Sequence, residues 1–347
     1  MAATPKTVDL ALQGGGAHGA FTWGVLDRLL EDERIEIRGL SGTSAGAMNA
    51  VIMTHGLLTG GRAAAQQELW SFWKAVSRSA RVSFFNHGAY ELFFGGWLRL
   101  HSPAFLISDF FSRLLSPYQF NPLNLNPVKE ILEQTVDFKR IHETNRIRIF
   151  VAATNVYTGR LRVFRNQEIT ADAVMASACL PLLFQAVEIE DEAYWDGGYT
   201  GNPAILPLIA ESAPRDLVLI TINPSFRRDI PRVSRDILNR LNEITFNNSL
   251  IKEMRAVTIL KQQLDAEETP PRKFEQALFD QVARMLVHRI HAEEELGELD
   301  ATSKLNPQWQ FLIHLHGIGR RAASQWIDAN FEALGRRSTI DLADSFL

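Results

Sequence analysis

Residues 42–46 of this chain, Gly-Thr-Ser-Ala-Gly, constrain its fold more than any other segment. A Gly-x-Ser-x-Gly segment allows a serine to lie on a strained turn between a strand and a helix, with its hydroxyl exposed. Gly42 and Gly46 leave room for the tight backbone and for an incoming substrate. Strand-forming residues come before the pentapeptide and helix-forming residues come after it, so the sequence predicts such a turn at Ser44.

A glycine-rich run over residues 14–19, Gly-Gly-Gly-Ala-His-Gly, follows one predicted strand and precedes a predicted helix. Consecutive glycines allow backbone N–H groups to converge on one point, and the N-terminus of the following helix adds a partial positive charge. Such a loop can hold a phosphate or the oxyanion of a tetrahedral intermediate. The same run also matches the dinucleotide-binding fingerprint. Dinucleotide binding, however, requires an acidic residue at the end of the second strand, where this chain has Leu40-Ser41-Gly42.

A third segment, Trp195-Asp196-Gly197-Gly198, follows a hairpin-like run much later in the chain. Glycines beside an aspartate permit an open turn. We therefore expect the carboxylate of Asp196 to face a cleft.

In this order, the three segments resemble those of the patatin-like phospholipase family. Residues 152–155 and 175–181 also resemble stretches of its bacterial members, and the likeness covers approximately residues 7–222. The resemblance implies a three-layer α/β/α fold with a mostly parallel central sheet. It also implies hydrolysis of lipid acyl esters by a Ser–Asp dyad, with a lipid or acyl ester as substrate and no cofactor or metal.

Carried over to this chain, the resemblance makes Ser44 the nucleophile and Asp196 the general base. The N–H groups of the first glycines would form the oxyanion hole, and further residues would support the site. The oxyanion-hole residues are Gly14, Gly15 and Gly16, and the supporting residues are His18, Gly42, Gly46 and Gly197.

His18 departs from the family pattern, which often has Arg or Lys two residues after the glycine run. A histidine is only partly charged near neutral pH. We therefore expect electrostatic support from this side chain to be weaker and to depend on pH, whereas the backbone donors do not depend on it.

The composition excludes several classes of protein. The chain has 347 residues, of which 46% are hydrophobic and 22% charged, and its formal net charge is −4. A nucleic-acid-binding protein normally has a basic domain, so we expect no nucleic-acid partner. The sequence contains no run of 18 apolar residues, so we expect no membrane-spanning helix. Cys179 is the single cysteine, and the first strand follows the N-terminus almost at once, so we expect a cytoplasmic protein without a disulfide.

Alternating strands and helices in the first part of the chain predict an α/β fold with helices on both faces of a mostly parallel sheet. We interpret residues 6–223 as the hydrolase domain and residues 224–347 as a helical C-terminal region packed on the same domain. Predicted strands span 7–12, 35–40, 147–154, 161–165, 185–195 and 217–222, and predicted helices span 20–31, 45–57, 236–264, 272–295 and 320–334.

Residues 82–111 are rich in aromatic side chains. In an enzyme that acts on lipid, such a segment can form a lid or a surface that contacts a membrane peripherally. The alternative is that these aromatics line the core and an acyl pocket.

Two other histidine hypotheses follow from the sequence. An α/β-hydrolase would complete a triad of Ser44 and Asp196 with His288 or His314, although that fold has more sheet before its serine turn. His288 with His291, and His314 with His316, have the spacing of metal ligands, but no carboxylate or cysteine pattern joins them. We therefore predict no metal site.

Several properties stay open at this stage. A non-catalytic lipid-binding relative would keep the same fold, although all dyad residues are intact in this chain. The sequence does not separate phospholipid from neutral glyceride or from an intracellular storage polyester, and it leaves the acyl position, the headgroup and the oligomeric state undetermined.

Overall fold

The computed structural model describes residues 4–86, 116–266, 277–299 and 301–347. Within these ranges, eight strands form one mixed sheet. The strands are β1 (Lys6–Leu12), β2 (Ile35–Gly42), β3 (Arg148–Asn155), β4 (Leu161–Arg165), β5 (Val187–Ile189), β6 (Glu192–Asp196), β7 (Asp216–Ile220) and β8 (Leu286–Ile290).

Helices connect these strands and cover the sheet. Their bounds are α1 (Gly19–Glu31), α2 (Ala45–Asn86), α3 (Pro117–Phe120), α4 (Pro127–Thr135), α5 (Phe138–Glu143), α6 (Ala171–Ser177), α7 (Leu206–Glu211), α8 (Ser234–Ala266), α9 (Ala277–Arg284), α10 (Glu293–Gly297), α11 (Trp309–Asn330) and α12 (Leu342–Phe346). The helix α2 is interrupted at Gly60 and Gly61, so the helix predicted over 45–57 corresponds to its first part.

The strand order is β5-β6-β3-β2-β1-β7-β8, with β4 paired to β3 outside this order. Neighbours from β3 to β8 along this order are parallel, whereas the pairs β3–β4, β3–β6 and β5–β6 are antiparallel. The mostly parallel sheet that the alternation predicted is therefore confirmed.

Hydrophobic side chains of the central strands alternate between two buried clusters, one on each face of the sheet. On β1, for example, Leu10 and Leu12 belong to one cluster, with residues of α1, α2 and α11. Ala11 belongs to the other cluster, with residues of α7, α8 and α9. Helices therefore cover both faces, as predicted.

The absence of strands after residue 224 is a prediction that the structure contradicts. Within residues 277–295, the described part of the helix predicted over 272–295, two helices, α9 and the start of α10, are separated by β8, which pairs in parallel with β7. The run Leu-Val-His-Arg-Ile of β8 continues the apolar spacing of α9. A helical period therefore fits the sequence, while pairing with β7 selects the strand.

Two further regions compare with the predictions in different ways. The strand region predicted over 185–195 is the hairpin that its sequence indicated, with β5 and β6 joined by a turn at Glu190 and Asp191, whose φ angles are 51° and 65°. The last long helix begins at Trp309 rather than at Arg320. The predictions for residues 82–111 fall outside the described ranges, apart from the end of α2. No helix in the described part of the chain is long and apolar enough to cross a membrane.

Helices α1 and α11 cross with their backbones in contact. A Cβ atom at Gly24 would lie 2.0 Å from the carbonyl oxygen of His316, and one at Gly319 would lie 2.0 Å from that of Phe21. Glycine is required at both positions because no other residue lets the two backbones approach so closely. Helix α11 is thus packed directly on α1.

We expect Gly319→Ala to lower the free energy of unfolding by about 3 kcal/mol, because the added methyl group forces α11 away from α1. Gly317→Ala is the matched control on the same helix. Its added Cβ would contact only Arg321, at 3.6 Å. This control should stabilise the protein by up to about 1 kcal/mol through helix propensity. Chemical denaturation of both variants measures the difference, and equal stabilities would contradict the packing argument.

Candidate active site

Ser44 lies between the end of β2 and the start of α2 with a φ angle of 54°. This left-handed conformation is strained for a residue with a side chain, and the surrounding structure must hold it. The N–H of Ser44 donates to Oγ of Ser177 at 2.8 Å, and its carbonyl oxygen accepts from the N–H of Met48 at 3.1 Å. The serine therefore lies on the predicted strand-to-helix turn, but it is buried, with 8% of its surface exposed, instead of presenting an exposed hydroxyl.

The two glycines of the pentapeptide are needed for close packing. A Cβ atom at Gly46 would lie 2.2 Å from the carbonyl oxygen of Leu12, and one at Gly42 would lie 2.6 Å from the backbone of Gly46. The N–H of Gly46 donates to the carbonyl oxygen of Thr43 at 2.8 Å and closes the turn. No larger residue fits at either position without moving β1 or the turn.

The glycine-rich turn after β1 lies against the Ser44 turn. A Cβ atom at Gly14 would be 2.9 Å from Cβ of Ser44. Gly16 has a φ angle of 58°, and a Cβ atom there would lie 2.3 Å from the carbonyl oxygen of Lys304. The ends of β1 and β2 therefore bring the two predicted turns together.

A network of buried amide side chains holds the glycine turn. The N–H of Gly14 donates to Oδ1 of Asn202 at 2.7 Å, and its carbonyl oxygen accepts from Nδ2 of Asn223 at 3.1 Å. Gln13 accepts the N–H of Asn223 at 2.9 Å and donates to Asn247 at 2.8 Å. Because the N–H of Gly14 is already paired with Asn202, only the N–H groups of Gly15 and Gly16 stay candidates for the oxyanion hole.

Asp196 ends β6 and is buried, with 1% of its surface exposed. Its N–H donates to the carbonyl oxygen of Cys179 at 2.8 Å, and Oδ1 of its carboxylate accepts the N–H of Gly198 at 2.6 Å. A Cβ atom at Gly197 would lie 2.1 Å from the carbonyl oxygen of Ala152. These contacts fix the direction of the carboxylate.

Burial raises the pKa of Asp196 to about 7, while hydrogen bonds from the N–H of Gly198 and the hydroxyl of Ser44, together with the charge of Lys304, lower it. Desolvation outweighs the three opposing effects. The serine hydroxyl is thus near enough to the carboxylate to favour its ionised form. Asp196 exchanges its proton near neutral pH, which suits a group that accepts and returns a proton.

His18 is buried, and its Nε2 lies 2.6 Å from Oγ of Ser303. Burial, and secondarily the charge of Lys304, lower the pKa of His18 to about 3. The imidazole is therefore neutral near pH 7. The expectation of a partial, pH-dependent charge at this position was wrong, because the burial of this side chain is not visible in the sequence.

The other predicted histidines lie in different surroundings. His288 is fully buried in β8, with Nε2 at 2.9 Å from Oδ1 of Asp216 and Nδ1 at 3.1 Å from Oγ1 of Thr339, so both ring nitrogens are engaged away from Asp196. His314 is exposed on α11, and His316 pairs with Asp27. Across the described ranges, no group of three or more His, Cys, Asp or Glu residues could hold a metal ion.

Three residues that are distant in the sequence support the two turns, and no sequence pattern assigned them this role. Asn202 follows Asp196 by six positions and precedes Pro203. An Asn-Pro pair is typical of a turn, but nothing local in the sequence indicates the hydrogen bond to Gly14. Ser177 lies in a segment that the family resemblance pointed to, without a role assigned. Lys304 carries no local pattern at all, because its contact with Gly16 joins residues nearly three hundred positions apart.

One comparison with known proteins identifies the family. The profile of the family described as patatin-like phospholipase matches residues 10–209, which is more than half of the chain. Among solved structures, VipD from Legionella pneumophila is similar over 94% of this chain and 67% of its own, with 16% sequence identity and a TM-score of 0.41. No curated protein matches the chain significantly.

Cys179 gives a direct test of burial beside Asp196. Burial, and secondarily the charge of Asp196, raise the pKa of this thiol to about 12. Because the thiolate is the reactive form, we expect a disulfide reagent at pH 8 to modify the folded protein about a hundredfold more slowly than the unfolded protein. As the chain has one cysteine, the released chromophore reports this site alone. Equal rates would show that the region behind Asp196 is open.

Proposed function

The chain belongs to the patatin-like phospholipase family, and from this premise we propose that it is a serine lipid acyl hydrolase working through a dyad of Ser44 and Asp196. The observation that carries the proposal is the environment of two residues on neighbouring turns. Ser44 is held on a left-handed turn, and its hydroxyl helps to lower the pKa of the buried Asp196 carboxylate, which burial raises to about 7. An activated serine beside its base is the arrangement that covalent acyl transfer requires.

In the first step, the ionised Asp196 accepts the proton of Ser44 while the serine oxygen attacks the ester carbonyl carbon. The carbonyl oxygen becomes an oxyanion, which the N–H groups of Gly15 and Gly16 would stabilise. The N-terminus of α2, which begins at Ala45, adds a partial positive charge beside the reacting oxygen. Protonated Asp196 then gives its proton to the leaving alcohol, and an acyl-enzyme forms on Ser44.

In the second step, Asp196 takes a proton from water, whose oxygen attacks the acyl carbon. The second tetrahedral intermediate collapses, the bond to Oγ of Ser44 breaks, and the serine regains a proton from Asp196. A fatty acid leaves, and the enzyme returns to its starting state. One carboxylate performs both proton transfers, because both histidines of the triad hypothesis lie elsewhere: His288 is paired with Asp216, and His314 is exposed.

The proposed substrate is an acyl ester of a phospholipid or a related lipid. Family membership supports lipid as the substrate class. A cytoplasmic location and peripheral contact with a membrane through residues 82–111 stay predictions from the sequence. Comparing lipid depletion by the wild type and by Ser44→Ala, with phospholipid, glyceride and polyester substrates in parallel, identifies the ester.

We expect a fluorophosphonate probe to label the wild type and to leave Ser44→Ala unlabelled, because only an activated serine reacts with it. The same variant should lose activity toward a chromogenic acyl ester by about a thousandfold or more. Ser177→Ala is the control for selective labelling, because Ser177 accepts the N–H of Ser44 but is not the nucleophile in the proposal. Retained activity in Ser44→Ala, with labelling at another serine, would refute the assignment.

We expect Asp196→Asn to lower kcat by about a thousandfold, because an amide cannot accept the serine proton. In the wild type, kcat/KM should rise with pH through a midpoint near 7, since Asp196 with its raised pKa acts only when ionised. Asp9→Asn is the matched control. Asp9 is also buried, and burial raises its pKa to about 7. Its carboxylate accepts a hydrogen bond from Ser212, which is not part of the candidate site.

A folded Asp9→Asn variant should keep the activity and the acid midpoint of the wild type. An equal loss of activity in His288→Gln or His314→Ala, with intact folding, would show that a triad operates instead.

A further inference from the structure

Lys304 lies on a short 3-10 helix, Ala301–Leu305, that packs on the glycine turn. Its carbonyl oxygen occupies the space where Gly16 would carry a side chain, and the preceding residue, Ser303, contacts the imidazole of His18. This segment of the C-terminal region therefore covers the turn that would hold the oxyanion.

The amino group of Lys304 lies against two residues of α8. Its Nζ donates to Oδ1 of Asn242 at 2.9 Å and lies 5.4 Å from the centre of the Phe246 ring. The same ring packs on Gly198, where a Cβ atom would lie 2.2 Å from Cε1 of Phe246. Gly198 is the residue whose N–H holds the carboxylate of Asp196. Phe246 thus lies beside the amino group of Lys304 and packs on the turn that holds Asp196.

We propose that Lys304 is a positioning residue of the dyad, whose ammonium group keeps Asp196 ionised so that it can accept the proton of Ser44. The proposal rests on the function proposed above. Its physical basis is the low dielectric constant of the buried site, where a cation lowers the free energy of a neighbouring carboxylate more than it does in water. The attraction between the two groups lowers the pKa of Asp196 and opposes the effect of burial.

Other charged groups surround Lys304, and each has a definite state near pH 7. Glu243 on α8 also attracts it, but Arg227 and Arg240 bind this carboxylate at 2.5 and 3.0 Å and, against the effect of burial, keep its pKa below the usual value. His18 is neutral. Burial lowers the pKa of Lys304 to about 8, whereas Glu243 and Asp196 raise it. Lys304 is therefore charged over the range in which Asp196 titrates.

The test compares Lys304→Met, Lys304→Arg and the wild type by measuring kcat/KM for an acyl ester between pH 5.5 and 9. In Lys304→Met, the acid midpoint should move upward by about one pH unit, because a neighbouring opposite charge lowers a carboxyl pKa by about that much. The loss of kcat/KM is then about tenfold at pH 6 and shrinks toward pH 8. Lys304→Arg keeps the charge and should restore the wild-type midpoint.

Lys252→Met, an exposed lysine on α8, removes the same charge elsewhere and should leave the profile unchanged. Thermal unfolding confirms that each variant is folded, and Lys304→Gln replaces the methionine variant if that one is not. An unchanged midpoint in a folded Lys304→Met variant, or an equal shift in Lys304→Arg, would overturn the proposal. If instead the wild-type activity does not depend on Ser44, the proposed function fails, and this result is distinct from the Lys304 outcome.

Discussion

The candidate site depends on the close approach of two turns at the carboxyl ends of β1 and β2. Parallel pairing places Leu12 opposite Gly42, so the two strands end side by side. Beyond this point, Gly14 lies against Ser44 and Gly46 lies against the carbonyl of Leu12, at separations that exclude any Cβ atom. This contact holds the serine in its left-handed conformation. It also places the N-termini of α1 and α2 on the same side of the sheet, where their dipoles favour negative charge.

Charge at the site is controlled by burial as much as by the residues themselves. The glycine turn is held mainly by neutral amides, among them Asn202 and Asn223, which satisfy buried backbone groups without adding charge. The imidazole of His18 is held neutral by its surroundings. The pKa of Asp196 is then a balance between desolvation and a few specific contacts. A small change in any of these contacts moves the proton equilibrium of the dyad.

Local patterns in the sequence predicted the features that depend on neighbouring residues. The strand over 161–165, the turn at Ser44 and the glycine turn all follow from short-range backbone preferences, and the structure has them at the predicted places. The strand β8 was missed because five residues that fit a helical period become a strand only through pairing with β7. The neutral state of His18 and the occupied N–H of Gly14 were missed for the same reason. The neutral state of His18 depends on burial and on the charge of Lys304, and the N–H of Gly14 is occupied by Asn202, so both depend on residues that are far away in the sequence.

The region after residue 224 both covers the sheet and contacts the turns of the candidate site. The helix α11 packs on α1 through Gly319, and α1 begins directly after the glycine turn. Lys304 contacts the same turn at Gly16, and Phe246 packs on the turn of Asp196. The glycine turn is thus held between the sheet on one side and the C-terminal region on the other. Because Gly16 has a left-handed conformation against a backbone carbonyl, a shift of residues 301–305 changes the direction of the N–H groups proposed to bind the oxyanion. The geometry of the proposed chemistry therefore depends on residues at both ends of the chain.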